Sequence, residues 1–185
     1  MISKKFVSVI LMLLLLAMYA YAVKNKHENS TREASLLLKE YVSSTDDDQK
    51  KSILNRLSSL YHDDPENINV VRMYIVILSS TGEYKKAIFV LESFNRKNEN
   101  PSLLLHECML KDRIGDYEES CYRKVISLKK AHGINDADYI VALFMVGDKG
   151  FDKEKDIYMK GRDDNDDLNI FENKKEDILK ELFPN

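Results

Sequence analysis

Apolar side chains recur at intervals of three and four residues along most of this 185-residue chain, with short polar stretches between the apolar segments. Such spacing places the apolar residues on one face of a helix. It predicts helices over residues 31–43, 49–61, 66–80, 84–95, 102–113, 117–132, 137–146, 151–159 and 170–183. The sequence has only six glycines and three prolines, which suits a helical protein because both residues interrupt helices.

The N-terminal segment has the pattern of an export signal. Lys4 and Lys5 precede a nearly unbroken apolar run, and Ala20-Tyr21-Ala22 supplies a small-x-small cleavage site. This pattern predicts a signal peptide over residues 1–22. An uncleaved membrane anchor is the alternative, because the 18 residues from Phe6 to Val23 reach the lower limit of a spanning helix, about 17–25 residues. Either interpretation places the rest of the chain outside the cytoplasm.

A polar linker is expected over residues 23–30, between this segment and the helical body. Ser30-Thr31-Arg32-Glu33 has the spacing of a capping box, in which the Ser30 side chain begins a helix and Glu33 completes the cap. The body is therefore predicted to begin at residue 31.

Two turns in the middle of the chain are nearly the same. Thr81-Gly82-Glu83-Tyr84 and Ile114-Gly115-Asp116-Tyr117 share a Gly-acid-Tyr sequence, and their glycines stand 33 positions apart. A period of about 34 residues is typical of helix-turn-helix repeats. Similar units begin near Ala34, Ile68 and Pro101.

These units resemble the tetratricopeptide repeat. The residues that carry the resemblance are the turn glycines and tyrosines, the small residues that follow them, and a terminal proline: Gly82, Tyr84, Ala87, Gly115, Tyr117, Ser120 and Pro65. The resemblance implies an all-α fold, a right-handed α-solenoid of helix pairs over residues 31–162. An acidic loop and a C-terminal capping helix would follow over residues 163–185.

The units also depart from the family pattern. Val71 and Leu104 stand where the family has a large aromatic residue, and Asp48 replaces the turn glycine of the first unit. Cys108 replaces a small residue of the third unit. Helical repeats of another type, or an irregular helical bundle, are the alternatives.

In tetratricopeptide repeats the first helix of each unit lines a concave face that binds a partner. Carrying those positions across gives six groove residues: Asn69, Arg72, Val76, Leu105, Met109 and Arg113. Arg72 and Arg113 would hold an acidic side chain or a carboxylate, because guanidinium groups make bidentate hydrogen bonds. The alternative is that Val76, Leu105 and Met109 belong to the core and the arginines are solvated.

The same resemblance brings Cys108 and Cys121 onto helices that face each other across the Gly115 turn. In an oxidising compartment the two thiols would form a disulfide. The alternative is a pair of small, buried apolar side chains.

Charge and motifs argue against several functions. The net charge is −3 and no long basic run follows the N-terminus, so nucleic-acid binding is not expected. The four histidines have no metal-ligand spacing, and no catalytic or phosphate-binding motif occurs. Asp163–Asp167 resembles part of a calcium loop, but Leu168 and Lys174 replace the required glycine and glutamate. We therefore expect no enzyme, metal or cofactor.

Together these features predict a non-enzymatic protein-protein interaction module in the bacterial envelope. It would be periplasmic, or anchored in the inner membrane through Phe6 to Val23 with its body in the periplasm. Its partner would be a protein of unknown identity. One alternative is a periplasmic immunity or inhibitor protein against a toxic effector, and another is a membrane-anchored assembly factor.

Overall fold

The computed structural model describes residues 4–160 and 171–184, with side chains from Leu15 onward. The regular elements of these residues are all helices: α1 (Lys4–Ser43), α2 (Asp47–Asp63), α3 (Ile68–Ser80), α4 (Tyr84–Asn95), α5 (Pro101–Arg113), α6 (Glu119–Ala131), α7 (Ala137–Val146), α8 (Phe151–Met159) and α9 (Lys175–Leu182). The prediction of an all-helical chain is thus confirmed. The last helix begins at Lys175 rather than near residue 170.

Helix α1 differs from the prediction at its beginning. It continues from Lys4 to Ser43 without a break, so the expected linker over residues 23–30 is helical and Ser30 does not cap a helix start. No proline or glycine occurs between Val23 and Ser43 to interrupt the helix, and Ser30 is buried. The capping-box spacing was therefore misleading here.

Within residues 15–160 and 171–184, no helix combines the length and the apolar character that a membrane crossing requires.

The chain divides into two compact units, Met1–Tyr74 and Ile75–Asn185. In the first unit α1 packs against α2. Its buried apolar residues are Ala34, Leu37, Ile53, Leu57, Tyr61, Val70, Val71 and Tyr74. The rings of Tyr61 and Tyr74 lie 5.6 Å apart between centroids, so the end of α2 contacts the first half of α3.

A polar network fixes α1 to the turn between α2 and α3. His27 Nδ1 lies 2.8 Å from Asp64 Oδ2, and Asn67 donates to the same oxygen at 3.0 Å and to the His27 carbonyl at 2.9 Å. Thr31 donates to Asn67 Oδ1 at 3.2 Å. Burial raises the pKa of Asp64, but hydrogen bonds from Asn67, His27 and Ser30 outweigh it and leave that pKa below its ordinary value.

In the second unit consecutive helices pack against each other. The pairs are α4 with α5, α5 with α6, α6 with α7, and α7 with α8. Helix α9 packs against α5 as well, although the sequence predicted a cap at the end of the array. Its apolar residues Ile178, Leu179 and Phe183 are buried, so α9 lies over an earlier helix of the unit.

The two repeated turns have the same backbone structure. Gly82 and Gly115 adopt φ of 75° and 86°, a conformation that favours glycine. After each glycine an amide bonds back to the helix, from Glu83 to the Leu78 carbonyl and from Asp116 to the Lys111 carbonyl, at 2.8 Å in both cases. A Cβ at Gly115 would meet no atom within 4 Å, so the backbone angle alone demands glycine there.

A buried ion cluster joins three helices of the second unit. Lys129 of α6 is only 2% exposed, and its Nζ lies 2.6 Å from Asp136 and 3.0 Å from Asp138. Ser102 of α5 donates to Asp138 at 2.5 Å. Asp136 also caps α7 by accepting from the Tyr139 amide. The cluster therefore fixes the start of α7 against α5 and α6.

The structure joins Cys108 of α5 and Cys121 of α6 by a disulfide, with Cα atoms 5.7 Å apart. The predicted pairing is confirmed. The bond spans 13 positions of sequence and connects the two helices on either side of the Gly115 turn.

Reduction of this disulfide is expected to lower the free energy of unfolding by about 3 kcal/mol, because the bond restricts the unfolded chain. Urea unfolding with and without a phosphine reductant measures the loss. The double variant Cys108→Ala/Cys121→Ala is the control, since its stability must not respond to the reductant. Equal stability of the oxidised and reduced wild type would contradict the expectation.

Candidate functional site

The predicted groove residues have different surroundings. Asn69, Arg72 and Val76 of α3 are exposed, and their spacing of three and four residues places them on one helix face. Met109 and Arg113 of α5 are half-buried.

Leu105 is only 2% exposed, so its assignment to a partner-binding surface is wrong. Helix α5 packs against α4, α6, α7 and α9. A central helix with so many neighbours has little free surface, and Leu105 belongs to the core as the alternative interpretation held.

A groove of about 650 Å³ lies in the first unit, between α1 and the start of α3. We call it the α1–α3 groove. Its lining includes His27, Thr31, Arg32, Leu36, Ile68 and Asn69. Leu36 is exposed in it, with Arg32 at the rim. Of the predicted residues only Asn69 lines this groove. The sequence did not indicate the α1 side of the groove, because it predicted a polar linker over residues 23–30, where the structure has a continuous helix.

The second unit carries a surface that holds α9, which we call the α9-binding surface. It is formed by Tyr84, His106, Asp112, Arg113 and the Met145 carbonyl. The buried Phe183 just after α9 is the centre of the contact, with its ring 5.4 Å from the His106 ring and 6.2 Å from the Tyr84 ring. Three earlier helices, α4, α5 and α7, thus contribute to one binding surface for a helix.

Two cations hold the ends of α9. Arg113 Nε donates to the Phe183 carbonyl at 2.9 Å, and its guanidinium carbon lies 5.6 Å from the Tyr84 ring centroid. Lys175 Nζ donates to the Met145 carbonyl at 2.8 Å. Cations stabilise the exposed carbonyls at helix C-termini. Arg113 was predicted to hold an acidic partner group, and in the structure it binds a main-chain carbonyl of its own chain.

The fit between α9 and this surface is incomplete. A cavity of about 410 Å³ remains beside it, lined by Val76, Ser79, His106 and the chain end from Glu181 to Pro184. The Tyr84 hydroxyl is buried without a hydrogen-bond partner among the described residues, an arrangement that costs about 1–3 kcal/mol.

The charge pairing at the other end of α9 is also imperfect. Burial raises the pKa of Asp112, which accepts a hydrogen bond from Tyr122, and the negative charge of Glu176 on α9 raises it further. Lys175 opposes this effect. A like-charged residue of α9 thus lies near a carboxylate of its own binding surface.

His106 is the central polar side chain of the surface. Its Nε2 lies 3.0 Å from the Ser79 hydroxyl, and its ring packs against Phe183. Burial lowers the pKa of His106 from 6.5 to about 4. The imidazole is therefore neutral at physiological pH, when α9 is seated.

Acidification is expected to destabilise the protein through His106. Because its pKa in the folded state lies below 6.5, the stability contributed by the neutral ring is present above pH 6.5 and is lost as the pH falls toward 4. The expected loss between pH 7 and pH 5 is about 2 kcal/mol. Urea unfolding at the two pH values measures it. The variant His106→Gln should lose less stability over this range, and an equal loss in both proteins would contradict the assignment to His106.

Phe183 is expected to contribute more to stability than its neighbour Leu182. Phe183 is 6% exposed and Leu182 is 45% exposed, so Phe183→Ala should cost about 3 kcal/mol and Leu182→Ala less than about 1 kcal/mol. Thermal unfolding followed by circular dichroism compares the two variants. Equal melting temperatures would show that Phe183 is not the anchor of α9.

No group of His, Cys, Asp or Glu side chains within residues 15–160 and 171–184 could hold a metal ion. The acidic segment Asp163–Asp167 and the adjoining Leu168 lie outside the described residues.

The chain matches no protein-family model, no curated protein and no solved structure.

Proposed function

We propose that this chain is a non-enzymatic protein-interaction module, built as a right-handed solenoid of tetratricopeptide-like helix pairs. One observation carries the proposal: the second unit already binds an amphipathic helix, α9, through contacts with α4, α5 and α7. A surface that holds a helix through an aromatic anchor and two charged ends is suited to helix recognition. The equal turns at Gly82 and Gly115 support the repeat architecture.

The exposed face of α3 is a second candidate surface for partner binding. Asn69 lies in the α1–α3 groove, Arg72 is exposed, and Val76 is 50% exposed beside the chain end. Arginine is enriched among the residues that dominate binding energies at protein interfaces. Arg72 and Val76 are therefore the positions where substitution tests partner binding most directly.

An oxidising compartment is proposed for this module. The disulfide between Cys108 and Cys121 is of a kind that persists in secreted and periplasmic proteins and is rare in the cytosol. The apolar segment with two N-terminal lysines supports export. Cleavage after Ala22 would retain His27 and Thr31, so the network that fixes α1 would remain in the mature chain.

Membrane tethering is the second candidate, and the side chains of α1 favour it. Between Leu15 and Tyr21, five large apolar residues are 55–71% exposed: Leu15, Leu16, Met18, Tyr19 and Tyr21. Exposed apolar patches of this kind mark contacts with a partner or a membrane. The intact mass of the protein from its native host distinguishes the two forms, since a chain starting at Val23 is cleaved and one starting at Met1 is tethered.

A glutamate introduced on the exposed face of α3 is expected to weaken partner binding. The variants Arg72→Glu and Val76→Glu should each reduce partner capture more than about tenfold, because a buried unpaired charge replaces a contact at the interface. Chemical cross-linking of the protein in its native host, followed by mass spectrometry, identifies and quantifies the partner.

The matched control is Lys51→Glu, a charge reversal at an exposed position of α2. It should bind the partner as the wild type does. Undiminished capture by both α3 variants would rule out this face as the interface. A captured partner that is a toxic hydrolase would identify the module as an inhibitor.

A further inference from the structure

We propose that helix α9 is an internal ligand of the α9-binding surface, and that a partner protein displaces it with a helix of the same apolar pattern. The inference rests on the proposed function, because it names the class of partner segment and the contact that regulates the same module. It follows from the position of α9, the spacing of its buried residues and the gaps that it leaves.

The pattern of α9 defines the partner helix. Ile178 and Leu179 are buried, and Phe183 follows four residues after Leu179. Lys175 lies one turn before Ile178 and donates to the Met145 carbonyl. A partner helix should therefore present a basic residue, two adjacent aliphatic residues three positions later and an aromatic residue four positions after those. Positions i, i+3, i+4 and i+8 lie on one face of a helix, and an amphipathic helix binds in a groove through such a face.

The contacts of α9 leave room for a better ligand. Leu182 is 45% exposed beside the cavity of about 410 Å³, and this cavity also borders the exposed Val76. The Tyr84 hydroxyl has no hydrogen-bond partner among the described residues. A partner helix with a larger side chain at the position of Leu182 would fill the cavity. A hydrogen-bond acceptor facing Tyr84 would bind its hydroxyl.

Arg113 adds specificity for a helix C-terminus. Its Nε binds the Phe183 carbonyl, which directly follows α9, and this contact needs only a main-chain oxygen from the ligand. Any helix that ends at the same position offers such an oxygen. Arg113 can therefore make the same contact with a partner helix as with α9. The pocket formed by Tyr84 and His106, which holds the Phe183 ring, selects an aromatic side chain.

An intramolecular ligand is a strong competitor. A tethered segment has an effective concentration of about millimolar, and a partner's apparent affinity is reduced by the fraction of molecules in which α9 is seated. Weakening α9 should therefore strengthen the binding of an external helix. This reciprocal effect distinguishes an exchangeable ligand from a permanent structural helix.

The test uses a fluorescent peptide with the sequence of residues 173–184, titrated with the full-length protein. The peptide should bind the variant Phe183→Ala at least about tenfold more tightly than the wild type. The variant Leu182→Ala should bind it as the wild type does. A second peptide with alanine at the position of Phe183 should bind none of the three proteins.

Hydrogen exchange of the wild type provides an independent readout. Saturating unlabelled peptide should accelerate exchange of the α9 amides while the amides of α4 and α6 remain protected. Equal peptide affinity for the wild type and Phe183→Ala, or no binding to either, would overturn the proposal that a partner helix displaces α9. A dimer that dissociates when peptide is added would also overturn it, in favour of exchange between two copies of this chain.

The outcome is separable from that of the proposed function. If Arg72→Glu and Val76→Glu lose the partner but the peptide never binds, the proposed interaction module is supported. The proposed displacement of α9 is then rejected. Peptide exchange without any partner captured through α3 would retain the displacement of α9 and reject the exposed face of α3 as the interface.

Discussion

The structure depends on the burial of one apolar face of each short helix against a neighbouring helix. Helices α2 to α9 contain 8 to 17 residues, and isolated helices shorter than about 12–15 residues are marginal in water. Each is therefore held by its neighbours, as in the pairs from α4 to α8. Helix α9 is held in the same way, by its packing against α5.

Polar contacts fix what apolar burial leaves undetermined. Burial alone allows helices to slide along each other, whereas a hydrogen bond or an ion pair defines a position. The Asp64 and Asn67 network fixes α1 against the α2–α3 turn, and Lys129 fixes α7 against α5 and α6. The disulfide between Cys108 and Cys121 adds a covalent link at the centre of the second unit.

The position of α9 connects stability with binding. Arg113 and the pocket of Tyr84 and His106 that receives Phe183 stabilise it, and under the proposed exchange a partner helix would use these same contacts. His106 lies at the same place, and its neutral ring depends on the burial that Phe183 provides. Stability, pH response and partner affinity of the second unit are therefore expected to change together when this contact is altered.

Local signals in the sequence determined most of the helices and the repeated turn. The spacing of apolar residues placed α2 to α8 within a few residues of their observed bounds, and the two glycines marked turns that require a positive φ. These features depend on residues close together in the chain, so a linear pattern is sufficient to find them.

Only the tertiary structure decided which faces stay open and which are covered. Leu105 and Val76 have similar apolar character, yet one is enclosed by neighbours of α5 and the other is exposed on α3. The return of α9 to α5 joins Arg113 to Phe183, 70 positions later, and no local pattern records a contact over that distance. No local pattern likewise shows that Ser30 of α1 is buried and hydrogen-bonds to Asp64. Exposure and long-range pairing arise from the packing of all the helices together, and for that reason the sequence alone could not assign them.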